Sequence, residues 1–258
     1  MEQLHEGRLM SLVVGHLAGT GYQWEPTRGV LVTAFLLSTD LSEDQILAPA
    51  GLERHLTTKE RTILKTDLPM WRKTQWVVGR LVGKYVTREW ARQHRSKEVS
   101  WQELQISPTD GQRKPQLDLL GPNWSDQPDL SLAHKGRWYL AGVRAGSVGV
   151  DVEEVREFGD SLRAKVLGEK ELEEDTSLSP DEQAVRDTTR WVCKESAAKL
   201  WGKGLVELGF RNIWTEELGR GRWRVESPNN EAVEVHTRRF EKYVFGAAST
   251  SVDSAGQL

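Results

Sequence analysis

Seven residues near the middle of the chain constrain it most: Val148-Gly149-Val150-Asp151-Val152-Glu153-Glu154. Val148, Val150 and Val152 alternate with Gly149, Asp151 and Glu153, the period-two pattern of a half-buried strand. One face is aliphatic. The other sets Asp151 and Glu153 side by side, because residues i and i+2 point the same way along a strand. Paired acids repel each other and lose hydration when packed, so such a face favours a cation beside it. An edge strand wearing charge against aggregation would have the same letters. What decides between them is whatever else in the chain converges on this stretch.

A chain of 258 residues can bury a substantial core, as one large domain or two smaller lobes. Its 38% hydrophobic and 28% charged residues fit a soluble globular protein. A net charge of −3 argues against a general nucleic-acid binder, which needs clustered excess Lys and Arg. The single cysteine, Cys193, excludes an intramolecular disulfide and a four-cysteine zinc site, and it suits a reducing cytoplasm. No apolar run approaches the roughly 20 residues that span a bilayer, and Leu9 to Val14 is too short for a signal peptide. Met1 and Met10 are both candidate starts. The eleven tryptophans are scattered, which points to packing.

Along the chain, residues 1 to 28 read as a loose polar wrap, and Val30 to Leu37 as a buried strand. Thr57 and Glu60 form a capping box. A long helix is expected from Pro69 to about His94, with Arg72, Lys73, Arg80, Lys84 and Arg88 as a basic remainder, usually just solvated but able also to serve a phosphate-bearing ligand. Trp101 to Ile106 reads as a strand, 108 to 115 as a turn and Leu119 to Asp129 as a loop. Strands follow at Leu130 to Ala133 and Trp138 to Val143, joined by a turn at His134-Lys135-Gly136-Arg137. Ser161 to Glu173 is helical. A strong helix spans Asp181 to Trp201, capped by Ser179-Pro180 and ended by Gly202. Short strands are expected at Phe210 to Thr215, Trp223 to Glu226, Ala232 to Thr237 and Tyr243 to Ala248, before a polar tail from Ser249 to Leu258. No repeat shows in the letters, but each half carries strands plus one principal helix. The expected fold is α+β, two similar lobes split near residue 146 with the site between them.

The second helix contains Trp191-Val192-Cys193-Lys194-Glu195-Ser196-Ala197-Ala198-Lys199. Glu195 and Lys199 share one face at i and i+4, a spacing common in ordinary exposed pairs. The small residues Ser196-Ala197-Ala198 allow close approach to the strand, which would bring Glu195 to Asp151 and Glu153. Three carboxylates make a hard oxygen site suited to Mg²⁺ and substrate phosphates. Lys199 would then neutralise phosphate oxygens. His134, with basic neighbours, could grip a phosphate, whereas Lys114-Pro115 reads alone as an ordinary rigid turn.

These pieces, in this order, resemble the 4′-phosphopantetheinyl transferase superfamily, in its larger two-lobed (Sfp-type) class. The resemblance rests on Gly149-Val150-Asp151-Val152-Glu153, the Trp191 to Lys199 motif, Gly202-Lys203-Gly204-Leu205, Arg113-Lys114-Pro115-Gln116-Leu117 and Leu130 to Gly136. It runs over roughly residues 110 to 205. It implies a pseudo-dimer with coenzyme A in the cleft: lobe 1–146 on the nucleotide side, lobe 147–258 carrying magnesium and the catalytic helix. It implies transfer of the phosphopantetheine arm of coenzyme A to a serine of an apo carrier protein, releasing 3′,5′-ADP. Asp151, Glu153 and Glu195 would hold Mg²⁺, and Lys199 would contact phosphates. Either Glu195 or a magnesium-held water steered by Glu153 would take the serine proton. His134 matches the 3′-phosphate position and Lys114-Pro115 the adenine positions, while Arg72 or Lys73 would supply a first-lobe cation. Ser131, Ala133 and Arg113 depart from the family pattern, and Ala133 removes a hydroxyl that often touches phosphate. A monomer without nucleic-acid or membrane partners is implied. Two other readings use the same letters: a Mg²⁺-dependent phosphodiesterase or pyrophosphatase, and a non-catalytic carrier-binding scaffold.

Overall fold

Two long helices lie on two antiparallel sheets in this computed structural model. It describes all residues except 1–21, 28, 38–41, 48–51, 53, 109–113, 122–123, 125–126, 175–176 and 251–258. The chain divides into two compact units, one of residues 1–110 and 115–146, the other of residues 111–114 and 147–258. Helix and strand are mixed in both, so the fold is α+β.

In the first unit, β1 (Tyr22–Trp24), β2 (Val30–Leu36), β5 (Pro128–Lys135) and β6 (Trp138–Ala145) form a sheet in the order β1-β2-β6-β5. A separate hairpin joins β3 (Leu104–Ser107) to β4 (Gln116–Leu119). Helices α1 (Glu43–Ile46) and α2 (Thr58–Arg61) are short, and α3 (Met70–Arg95) is the principal helix. Leu31, Phe35, Val77, Leu81, Trp90 and Ile106 belong to the core between α3 and the strands. The second unit carries β7 (Val148–Glu154), α4 (Asp160–Val166), α5 (Glu169–Glu174), α6 (Pro180–Trp201) and α7 (Leu205–Leu208). It continues with β8 (Trp214–Gly219), β9 (Arg222–Glu226), β10 (Ala232–Phe240) and β11 (Tyr243–Ser249). Its sheet order is β7-β11-β10-β9-β8, all antiparallel.

The helix starts follow their caps. Ser179 accepts from the Glu182 amide, Pro180 opens α6, and Gly202 closes it in the left-handed region at φ 67°. Several expectations need correcting. Trp101–Glu103 is a 3₁₀ turn, and only Leu104 onward is strand. The Leu119–Asp129 loop is shorter than its letters suggest, because Pro128 and Asp129 already pair in β5. His134 and Lys135 are strand residues, since a two-residue turn at Gly136-Arg137 closes the hairpin. The helical stretch 161–173 breaks at Leu167-Gly168 into α4 and α5. Phe210–Asn212 is a 3₁₀ turn rather than strand, and β1 places part of the expected N-terminal wrap in the sheet. The polar tail lies outside the described residues from 251 on.

Lys84 departs furthest from expectation. Lys84, expected on a solvated face, is fully buried, and its Nζ donates to Glu60 Oε2 at 2.6 Å and to the carbonyls of His55 and Trp101. Glu60 also accepts from the Thr57 and Ile106 amides. The second unit repeats the arrangement. Lys194 Nζ donates to Glu171 Oε2 at 2.6 Å and to the carbonyls of Val166 and Phe210, while Glu171 accepts from the Gly168 and Thr215 amides. Burial lowers the pKa of both lysines, opposed by their glutamates.

Breaking one such pair leaves a buried, uncompensated charge. Lys194→Met or Glu171→Leu should each cost about 3–5 kcal/mol, and the double variant should cost clearly less than the sum of the singles. Urea denaturation of the three variants checks this; additive losses would mean the pair is not coupled.

Candidate functional site

Strand β7 meets α6 closer than side chains allow. A Cβ on Gly149 would lie 1.9 Å from the Ser196 carbonyl oxygen and 2.6 Å from the Leu200 amide nitrogen. Gly246, opposite Asp151 on β11, is equally confined, with Val192 Cγ1 at 2.5 Å and Ser196 Oγ at 2.8 Å from its virtual Cβ. Ser196, Ala197 and Ala198 are small and buried because the two backbones nearly touch there. Asp151 and Glu153 share the Gly149 face of the strand, so this approach brings them to Glu195 and Lys199.

Lys199 Nζ donates to Asp151 Oδ1 at 2.7 Å and to the Val150 carbonyl at 3.0 Å. Asp151 is 6% exposed, and its second oxygen, Oδ2, is buried without a hydrogen-bond partner. Its pKa is pushed up to about 6, first by burial; Lys199 opposes the shift, and the charges of Glu195 and Glu153 add to it. Lys114 joins the same unit and donates to the Val148 carbonyl at 2.6 Å. Glu154 points away and pairs with Lys242 at 2.7 Å. Asp151, Glu153, Glu195 and Lys199 are thus brought together within the second unit, whereas Lys114 bonds to the first residue of β7. Among the described residues, no three His, Cys, Asp or Glu side chains are already disposed as a metal cage. The donor set nevertheless fits Mg²⁺, which binds through one or two carboxylates and completes its shell with water and phosphate oxygens. The orphaned Oδ2 is the atom such an ion would satisfy. Cys193 has no part in this, because it is fully buried and burial pushes its thiol up.

His134 and Arg72 meet elsewhere, in the first unit, where both line a pocket of about 400 Å³ with Trp71, Trp76, Arg80 and Tyr139. His134 stacks on Tyr139 at 5.7 Å. Of the two candidate first-lobe cations, Arg72 reaches the pocket, whereas Lys73 donates to the Leu64 carbonyl. Pro115 groups with the first unit although its neighbour Lys114 groups with the second; Arg113 lies outside the described residues. Sequence reasoning counted Arg80 in the basic helix face without singling it out as a site residue. The signal was present, since Trp76 and Arg80 are i and i+4 on one helix face, the spacing of a cation–π pair.

Residues 147–248 match the family model of the 4′-phosphopantetheinyl transferase superfamily. Among curated proteins, the 4′-phosphopantetheinyl transferase psf-1 of Bacillus pumilus is 25% identical over 127 residues, 49% of this chain and 52% of that protein. The 4′-phosphopantetheinyl transferase of Bacillus subtilis is 29% identical over 80 residues, 30% of this chain and 36% of that protein. The chain thus spans about half the length of one curated relative and about a third of the other. A crystal structure of holo-[acyl-carrier-protein] synthase from Thermotoga maritima is similar at 18% identity and a TM-score of 0.34. The similarity covers 41% of this chain and 64% of that one. Among the described residues, no helix is long and apolar enough to cross a membrane.

Gly149→Ala should separate β7 from α6 or unfold the unit, lowering the melting temperature by several degrees at a cost of roughly 3 kcal/mol or more. An unchanged melting curve would contradict the close approach. Asp151 supplies a pH signature. An acid whose pKa is raised by folding stabilises the fold below its unfolded pKa near 4 and loses that contribution as pH rises through the folded value of about 6. In the absence of metal, stability should therefore fall between pH 4 and 6.5 by on the order of 2–3 kcal/mol from this group. Asp151→Asn should flatten that slope in denaturation curves taken across the range.

Proposed function

We propose that the chain transfers the 4′-phosphopantetheine group of coenzyme A to a serine of an apo carrier protein. The observation that carries this reading is the buried Asp151, flanked by Glu153, Glu195 and Lys199 at the β7–α6 approach, within the stretch that matches the transferase family. In the reaction the serine Oγ bonds to the pantetheine-side phosphorus of the coenzyme A pyrophosphate. The bond from that phosphorus to the bridging oxygen breaks, and 3′,5′-ADP leaves. Glu195 accepts the serine proton, and Lys199 offsets charge on the phosphate oxygens. Asp151, Glu153 and Glu195 would hold Mg²⁺, which supplies charge neutralisation at the pyrophosphate. Such a transfer asks for positioning and electrostatics rather than a covalent nucleophile, and three acids with one lysine supply both.

The first unit would hold the nucleotide through Arg72 and His134, with Lys114-Pro115 beside the adenine. In this reading the protein acts as a monomer in the cytoplasm, and carrier recognition sets the pathway it serves.

Incubation with coenzyme A, Mg²⁺ and apo acyl or peptidyl carriers should add one phosphopantetheine mass to the carrier serine, seen by intact-mass spectrometry, and chelation of the metal should abolish it. Glu195→Gln should still bind coenzyme A in calorimetry but lose at least about 10²-fold in turnover. Cleavage of coenzyme A at the same rate without any carrier would favour hydrolysis instead. Absence of both binding and transfer would sink the reading.

A further inference from the structure

The close packing of β7 on α6 explains why residue 196 is small, but not why it carries a hydroxyl. Ser196 is fully buried, and among the described residues its Oγ makes no hydrogen bond. A buried hydroxyl without an acceptor is destabilising, and alanine, a better helix former, would avoid that cost. Other helix hydroxyls in the protein are satisfied within their own helix. Thr189 Oγ1 donates to the Val185 carbonyl at 2.7 Å and Thr87 Oγ1 to the Gly83 carbonyl at 2.8 Å, each four residues back. Ser196 makes no such bond to the Val192 carbonyl.

A second orphaned polar atom lies beside it. Asp151 Oδ2 is likewise buried without a hydrogen-bond partner, while Oδ1 is held by Lys199. Two glycines locate Ser196 against this carboxylate. Gly149 precedes Asp151 by two residues on the same strand face, and Gly246 stands opposite Asp151 on β11. The Ser196 carbonyl oxygen is 1.9 Å from the virtual Cβ of Gly149, and Ser196 Oγ is 2.8 Å from that of Gly246. Residues directly opposite in an antiparallel pair have Cβ atoms about 4.5–5.5 Å apart. The hydroxyl therefore sits next to the Asp151 carboxylate, across space that any side chain at position 246 would fill.

We infer that Ser196 is a positioning residue for Asp151: its hydroxyl donates to Oδ2, directly or across one water, and fixes the plane of the carboxylate. The inference rests on the reading above, in which Asp151 helps to hold Mg²⁺. Lys199 fixes one oxygen and leaves the carboxylate able to turn about its Cβ–Cγ bond, a soft torsion. A second donor stops that rotation. Because each carboxylate oxygen can accept two bonds, Oδ2 keeps a lone pair for the metal. Gly246 then serves twice, letting α6 approach and keeping the space between Ser196 and Asp151 clear.

The experiment titrates Mg²⁺ into the full chain with coenzyme A present, followed by calorimetry, for the wild type, Ser196→Ala, Ser196→Cys and Thr189→Ala. Each is also melted without metal. Ser196→Ala should melt at or above the wild-type temperature, since an unsatisfied hydroxyl is gone, yet bind Mg²⁺ about tenfold more weakly. Ser196→Cys nearly keeps the shape but donates poorly, so it should lose a similar factor, and it decides the matter if the alanine variant fails to fold. Thr189→Ala should bind Mg²⁺ like the wild type. In carrier modification by Ser196→Ala, the Mg²⁺ concentration giving half the maximal rate should rise, with the rate at saturating Mg²⁺ little changed. Unchanged Mg²⁺ affinity in both Ser196 variants, or an equal loss in Thr189→Ala, overturns the role of Ser196 and leaves the transferase reading standing. A wild type that neither binds coenzyme A in a Mg²⁺-dependent way nor modifies a carrier overturns that reading and this assignment with it.

Discussion

A lysine with no access to water needs a partner, and in each unit of this protein that need organises the backbone. Lys194 Nζ is shared between the Glu171 carboxylate and two carbonyls, from Val166 at the end of α4 and from Phe210 before β8. Glu171 in turn takes amides from Gly168 and Thr215. One ion pair therefore ties α6 to two segments that are far apart in sequence, 166–171 and 210–215. Its desolvation cost is offset only while every one of these bonds is made, which makes the geometry close to all-or-none. Glu195 follows Lys194 in the chain, and the rotation of α6 that seats the lysine inward is what sets Glu195 and Lys199 toward β7.

The same arrangement around Lys84 shows that the two units are versions of one design. Strands correspond in order: β2-β6-β5 in the first sheet and β7-β11-β10 in the second, each with a two-residue hairpin turn between the last two. Aligned on those hairpins, Asp151 corresponds to Thr33 and Glu153 to Phe35. Aligned on the lysines, Glu195 corresponds to Tyr85. Where the second unit gathers acids, the first has Phe35 against Tyr85, an edge-on ring contact at 5.6 Å. One scaffold thus supports two solutions at the same place: an apolar seal, and a charged site.

The strand at 148–154, the capped helix at 180–201 and the small residues facing Gly149 were legible in the sequence because they depend on side-chain identity and spacing. The similar plan of the two halves was legible as well, but no repeat showed in the letters, for a physical reason. His55 and Val166, Trp101 and Phe210, Thr57 and Gly168, Ile106 and Thr215 all contribute main-chain atoms to the two ion pairs, so only Glu and Lys need recur. The burial of Lys84 was hidden likewise, since a lysine on a basic helix reads as solvated until its carboxylate is located in space. His134 was misplaced because a four-residue polar cluster was read as turn, although two residues suffice to reverse an antiparallel pair.

The acid site is costly to its own fold. Asp151 is buried beside two further carboxylates, and burial first, then the charges of Glu195 and Glu153, push its pKa up against the opposing Lys199. Relaxation by strand movement is blocked, because Gly149 and Gly246 are already in contact with the backbone and side chains of α6. Relaxation by helix movement is blocked as well, because Lys194 anchors α6 one residue away from Glu195. The unfavourable charge is therefore held in place rather than dissipated, and protonation of Asp151 or a bound cation would lower its energy. Here the residues that stabilise the unit and those that would bind a metal are not separate sets, since the rigidity of the first keeps the second from relaxing.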